Sequence, residues 1–95
     1  MAADDVTNVG GALALSVGKG AGISVADDGN VKIGKNAVID AGDSILLKCG
    51  SASISLKKDG TIVIDGKDIT VSGSGKINIK ASSDIIMKGS KISQN

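Results

Sequence analysis

The chain has no phenylalanine, tyrosine, tryptophan, proline or histidine, and a single cysteine among its 95 residues. Globular cores use aromatic rings to fill irregular volume, because each ring buries a large area. A chain without them must fill its interior with aliphatic side chains in regular layers. One cysteine, Cys49, cannot form a disulfide within the chain, and a buried reduced thiol is compatible with folding in the cytosol. Arginine and glutamate are missing as well, so the charge is carried by 11 lysines and 10 aspartates, with a net charge of +1. They are scattered singly or in pairs with no basic block, which argues against nucleic-acid binding. No apolar run approaches the ~18–20 residues of a membrane span. The start, Met1-Ala2-Ala3-Asp4-Asp5, has neither the basic nor the apolar region of a signal peptide. Export, if it occurs, is expected to proceed without a cleavable signal.

What is present is glycine, 14 residues of it, and 41% hydrophobic residues dominated by Ile, Val and Leu. The β-branched types favour pleated strands. They recur as an apolar–x–apolar pair followed by a turn. The pairs are Leu13/Leu15, Ile23/Val25, Val31/Ile33, Ile45/Leu47, Ile54/Leu56, Ile62/Ile64, Ile69/Val71, Ile77/Ile79 and Ile85/Met87, and Ile92 begins one more. From Ile54 onward their first members stand eight, seven, eight, eight and seven residues apart. A period of two means strands with one buried face. The residues inside the pairs are mostly small or polar (Ser24, Lys32, Ser55, Thr70, Asn78) and are expected to point outward, with Leu46, Val63 and Ile86 as aliphatic exceptions.

Between the pairs lie short polar segments rich in Gly, Asp, Ser and Lys, such as Lys57-Lys58-Asp59-Gly60 and Ser72-Gly73-Ser74-Gly75. Glycine accepts backbone angles closed to other residues, and Asp tolerates the left-handed region, so these segments read as turns. No helical spacing persists, and the chain is expected to be all β. Short strands about eight residues apart fit three architectures: a meander of hairpins, a single-chain β-solenoid, or a prism of three chains. In the prism each strand forms one side and its neighbours come from other chains. Uniform aliphatics, the lack of proline and glycine at the corners suit the prism best, and the residues alone leave the solenoid and the prism both open. A compact domain of about this length buries only some 60–70% of its unfolded surface, so self-association would add needed burial.

The stretch Gly42-Asp43-Ser44-Ile45-Leu46-Leu47-Lys48-Cys49-Gly50-Ser51-Ala52-Ser53-Ile54-Ser55-Leu56-Lys57-Lys58-Asp59-Gly60-Thr61-Ile62 resembles the C-terminal spike region of VgrG proteins, the valine–glycine repeat proteins of type VI secretion systems. Residues 63–69 and the ending Lys88-Gly89-Ser90-Lys91-Ile92 continue the resemblance, which covers roughly residues 40–95. It implies an all-β, intertwined triple-stranded β-helix, a triangular prism formed by a homotrimer and related to the needle of contractile phage tails. The trimer core would then be Ile23, Val25, Val31, Ile33, Ile45, Leu47, Ile54, Leu56, Ile62, Ile64, Ile69, Val71, Ile77, Ile79, Ile85 and Met87. The whole of residues 1–95 would be one spike domain, with 1–11 a frayed or non-native start and 89–95 the tip. Such a needle rides on an expelled tube, contacts and punctures a target membrane, and delivers effectors. Its blunt C-terminal end carries a conical PAAR-repeat protein, here expected on Gly89, Ser90, Lys91, Ile92, Ser93, Gln94 and Asn95, because a β-helix ends in unpaired backbone groups that need a cover. The larger N-terminal domains that join such a spike to the tube are absent from this sequence, which therefore reads as a fragment.

Catalysis is not expected. Asp27-Asp28 and Asp65/Asp68 lie in turn segments with no histidine, glutamate or activated nucleophile beside them. No cofactor or metal is expected either. Cys49 shares parity with Ile45 and Leu47, so three copies could meet near an axis and bind a metal or oxidise, but a small buried thiol in a layer is the expected state, and Met87 reads as a packing residue. The alternative function is a binding or adhesion module, a single-chain β-solenoid with a flat repetitive face. The outward positions Ser24, Lys32, Ser55, Val63, Thr70, Asn78 and Ile86 share no residue type, which counts against it.

Overall fold

A computed structural model describes residues 3–94, divided into two compact units, Met1–Ala37 and Val38–Asn95. All regular structure among the described residues is strand: β1 (Ser44–Cys49), β2 (Ala52–Lys57) and β3 (Ile62–Asp65), all in the second unit. They form one antiparallel sheet in the order β1-β2-β3. The all-β expectation holds.

Outside the sheet the sequence period survives as a period of bends. In the first unit the backbone bends at residues 10–11, 18–19, 26–27 and 34–35; in the second it bends or turns at 42–43, 50–51, 58–60, 67–68, 74–75, 82–83 and 90. Successive bends therefore begin eight residues apart from residue 10 to residue 58, then nine, seven, eight and eight apart. The spacing of aliphatic pairs reveals this period from Ile54 onward and, upstream, only between Ile23 and Val31; the backbone carries it from residue 10.

Two of these corners differ from the rest. Gly50 and Gly60 have φ of 57° and 95°, the only positive values among the described residues. Gly50 and Ser51 make a two-residue loop between the paired residues Cys49 and Ala52. Positive φ at the first loop position alone is the type II′ pattern, whose twist matches that of paired strands. The second reversal is a three-residue loop. Lys57 donates its N–H to the Thr61 carbonyl at 3.0 Å, and Gly60 donates to the Lys57 carbonyl at 3.0 Å. Gly60 then supplies the left-handed residue that such a loop needs. The Asp59 side chain accepts the Thr61 N–H at 3.0 Å, a local brace of the kind aspartate makes two residues along. At the open end of the first hairpin, Lys58 donates its N–H to the Asp43 carbonyl at 3.0 Å, and its ammonium lies 3.3 Å from the Asp43 carboxylate.

Within the single chain the strands from Ser44 to Asp65 pair with one another, because the backbone reverses at the two left-handed glycines. The ladders are antiparallel, so these strands are not the parallel coils of a single-chain solenoid.

Candidate assembly face

The pairing register decides which side chains share a face. In β1 and β2, Ile45 stands opposite Leu56, Leu47 opposite Ile54 and Cys49 opposite Ala52; in β2 and β3, Leu56 stands opposite Ile62 and Ile54 opposite Ile64. Directly paired residues lie on the same side of the sheet and alternate residues on opposite sides. One face therefore carries Ile45, Leu47, Cys49, Ala52, Ile54, Leu56, Ile62 and Ile64 with no charged group. The other carries Ser44, Leu46, Lys48, Ser53, Ser55, Lys57, Val63 and Asp65. Three of the sequence-derived pairs thus converge on one surface, and Leu46 and Val63 fall on the polar side, as their parity requires. A one-residue slip would send every one of these side chains to the wrong face.

Nothing in the single chain covers that surface. No described residue is buried, and on the apolar face Leu47 is 56% exposed and Ile62 64%. The remaining core candidates, Ile23, Val25, Val31, Ile33, Ile69, Val71, Ile77, Ile79, Ile85 and Met87, are exposed as well. The chain presents 10255 Å² to solvent. A compact folded protein of 9.3 kDa would present roughly 5000 Å². By area, most of the burial that normally stabilises a protein of this mass is missing.

The chain after β3 adds one wall to the face. Gly66, Asp68, Ile69 and Thr70 join Leu47, Ile54 and Ile64 around an open groove of about 550 Å³, which Lys48, Ser53 and Asp65 of the polar face also line. Cys49 also lines this groove and is a free, exposed thiol. The position on the apolar side that its parity implied is confirmed by its pairing with Ala52.

The electrostatics of the region are local. Asp59 is exposed, and its carboxyl is held below the ordinary value by the Thr61 N–H, helped by the Thr61 hydroxyl. The Lys58–Asp43 pair is exposed on both sides, and such a pair contributes at most about 1 kcal/mol. Among the described residues no three of His, Cys, Asp and Glu come together as a metal-binding group. At the expected tip, Gly89, Ser90, Lys91, Ile92, Ser93 and Gln94 are exposed, outside any ladder, with a bend at Ser90; Asn95 lies outside the described residues. The residues that sequence reading did not single out are the two reversing glycines, the Asp59 brace and Ala52. Glycine and aspartate in a turn segment were the available signal for the first two.

These features define an all-β repeat protein in which three aliphatic pairs are gathered on one face that the chain itself leaves open. A stretch of 35 residues is 63% identical to the type VI secretion system spike protein VgrG1b of Pseudomonas aeruginosa. The chain is related to VgrG spike proteins through that stretch. The match takes in 37% of this chain and 5% of the relative, so the chain spans a small part of the length of the protein it matches. No family model matches the chain.

Proposed function

We propose that this chain is part of the needle of a type VI secretion spike and works as a homotrimeric, intertwined β-helix. The observation that carries the reading is the uncovered aliphatic repeat in a chain that shares 63% identity over 35 residues with a spike protein. Three copies about a common axis would bring identical aliphatic side chains together in layers. Uniform β-branched residues pack well in such rings, and an aromatic ring would not fit them.

The role is mechanical, with no catalytic step. Axial load would be shared by interlocked side chains and by strands bonded to other chains. Unfolding would require three chains to separate together, which makes the assembly kinetically stable. In this reading the trimer folds in the bacterial cytoplasm and leaves without a cleavable signal. It meets the target membrane at the end of the tube, to which further N-terminal domains would join it. Residues 89–95 form the end that carries a PAAR-type tip protein and, with it, effectors.

The decisive experiment is the mass in solution by multi-angle light scattering. Concentration must come from refractive index, since the chain has no tryptophan or tyrosine to absorb at the usual wavelength. Three times the 9.3 kDa chain mass, with a band that resists SDS until boiled, is the expected result. A mass near 9.3 kDa overturns the trimer.

A further inference from the structure

The charged side chains follow the backbone period, and their signs follow it too. Lys19, Asp27, Lys35 and Asp43 each occupy the second residue of a bend, eight residues apart, and the sign alternates at every step. Lys32, Asp40 and Lys48 each lie two residues before a bend or turn and alternate in the same way. Downstream, Lys57/Asp65, Asp59/Lys67, Asp68/Lys76 and Lys76/Asp84 repeat the opposition, and only Lys80 and Lys88 stand eight apart with like charge. Nine of the ten charged pairs at that separation are therefore opposite. At sixteen residues the order inverts. The five charged pairs there, Lys19/Lys35, Asp27/Asp43, Lys32/Lys48, Asp43/Asp59 and Asp68/Asp84, are all like. Every one of these side chains is exposed. None of the nine opposite pairs closes within the chain: the one ion pair among the described residues joins Lys58 to Asp43, fifteen residues apart.

We infer that these lysines and aspartates pair between copies, as ladders along the outside of the trimer, and that the ladders fix which repeat of one chain lies beside which repeat of the next. The inference rests on the trimer reading above and adds to it a surface outside the aliphatic core.

The geometry is that of the prism. A chain that takes a new side with each eight-residue segment, and shares its sides with two others, climbs one strand spacing per segment, about 4.8 Å. Each residue then lies beside the residue eight further along the neighbouring chain. Opposite charges placed so across strands stabilise the pairing, and like charges directly opposite destabilise it. Suppose one chain slips by a single repeat. At one of its two interfaces every residue meets its own copy, so every charge meets its like. At the other interface each residue meets the one sixteen away, where all five charged pairs are like. The aliphatic layers cannot make that distinction, because one isoleucine layer matches the next as well as it matches itself. A three-sided coil of one chain would instead stack residues twenty-four apart, and there two of the five charged pairs are like, Asp4/Asp28 and Lys67/Lys91.

The test uses the ladder whose ends are uncharged. Ser24 and Leu56 flank Lys32, Asp40 and Lys48 at the same period. Asp40→Lys makes the series all positive. Lys32→Asp, Asp40→Lys and Lys48→Asp together restore alternation with every sign reversed. Asp28→Lys is the control: it changes net charge as Asp40→Lys does, but Gly20 and Asn36 stand eight residues from it. Urea unfolding is followed by circular dichroism, with light scattering of each variant, at about 0.01 M and about 1 M salt, where the screening length is about 30 Å and about 3 Å. Asp40→Lys alters two pairs in each of three copies. At about 1.4- to 5-fold per exposed pair, it should shift the unfolding equilibrium by roughly one to four powers of ten at low salt, and by less at high salt. The triple variant should recover most of that loss, and Asp28→Lys should lose little. A triple variant no more stable than Asp40→Lys, or an Asp28→Lys variant as unstable, overturns the ladder and leaves the trimer standing. A monomeric parent overturns the trimer reading and the ladder with it. Register is read separately with Thr70→Cys and Asn78→Cys in a Cys49→Ser background, two positions eight apart within aliphatic pairs. Oxidised glutathione takes up the two electrons and two protons as each disulfide forms. A strand spacing of about 4.8 Å suits a disulfide. The double variant should give a covalent trimer, and Thr70→Cys alone should stay unlinked. Links in the single variant, or none in the double, overturn the register.

Discussion

Replacing Gly60 by alanine is expected to destabilise the protein, while the same replacement at Gly34 stabilises it. Both glycines would give an added Cβ open space, with nothing within 4 Å. Only Gly60 has positive φ, at 95°. Within the single chain, the difference between the two variants therefore comes from the backbone. Left-handed backbone costs an L-residue about 1–2 kcal/mol, because its Cβ crowds the following carbonyl. If three chains unfold together, the cost per trimer is about 3–6 kcal/mol, or roughly two to four powers of ten in the equilibrium. At Gly34 alanine restricts only the unfolded chain and adds about 0.4–1 kcal/mol of stability. Asparagine at position 60 should fall between glycine and alanine, since it tolerates the left-handed region better than most residues. The assay is guanidinium unfolding followed by far-ultraviolet circular dichroism, because the chain has no aromatic residue to report by fluorescence. Chain concentration must be held fixed, as the stability of an oligomer depends on it. Shifts of the same sign for both variants, or a Gly60→Ala midpoint at or above the parent's, would refute the reasoning.

Asp59 provides a pH-dependent test. Its folded value lies below the unfolded one, so its contribution is fully present above the unfolded value of about 3.9 and is lost as pH falls through the folded value. Asp59→Asn keeps an acceptor for Thr61 but cannot titrate. The stability difference between parent and variant should therefore shrink between about pH 6 and about pH 2, and a constant difference would remove the carboxylate from the turn. The two sheet faces can be compared through Ile54 and Val63, which are 40% and 45% exposed in the single chain. If copies cover the apolar face, Ile54→Ala costs about 2–5 kcal/mol and lowers the solution mass on dilution, whereas Val63→Ala on the polar face costs under about 1 kcal/mol. Equal effects would mean that the apolar face stays in water.

Much of the sheet was legible before any coordinates, because alternation is enough to assign faces. Ile45/Leu47, Ile54/Leu56 and Ile62/Ile64 fall on one side, and Ser55 and Lys48 on the other, as a two-residue period requires. Parity also placed Cys49 on the apolar side, although its thiol is exposed in the single chain and not buried as expected. The turn at residues 57–60 was readable from its Lys-Asp-Gly chemistry, although not the Asp59 brace that closes it. Upstream, the eight-residue period was harder to see. Val38, Ile39 and Ala41 blur the pair that should follow Ile33, whereas the backbone still bends at 34–35 and 42–43.

Strand partnership was the part that the residues could not settle, and the reason lies in glycine itself. Glycine's identity at a corner permits either sign of φ and so does not say whether the chain bends or reverses. Gly50 and Gly34 each begin an eight-residue repeat, yet only Gly50 takes positive φ and turns the chain back on itself. What separates them is the next segment. After Gly50 comes Ala52-Ser53-Ile54-Ser55-Leu56-Lys57, an alternating strand that can lay its apolar side beside Ile45 and Leu47 at once. After Gly34 comes Lys35-Asn36-Ala37-Val38-Ile39-Asp40-Ala41, where Val38 interrupts the apolar–polar alternation that residues 52–57 keep throughout. A repeat whose neighbours can pair locally closes on itself. One whose neighbours do not pair locally leaves its backbone groups without ladder partners in the single chain, as residues 35–41 do.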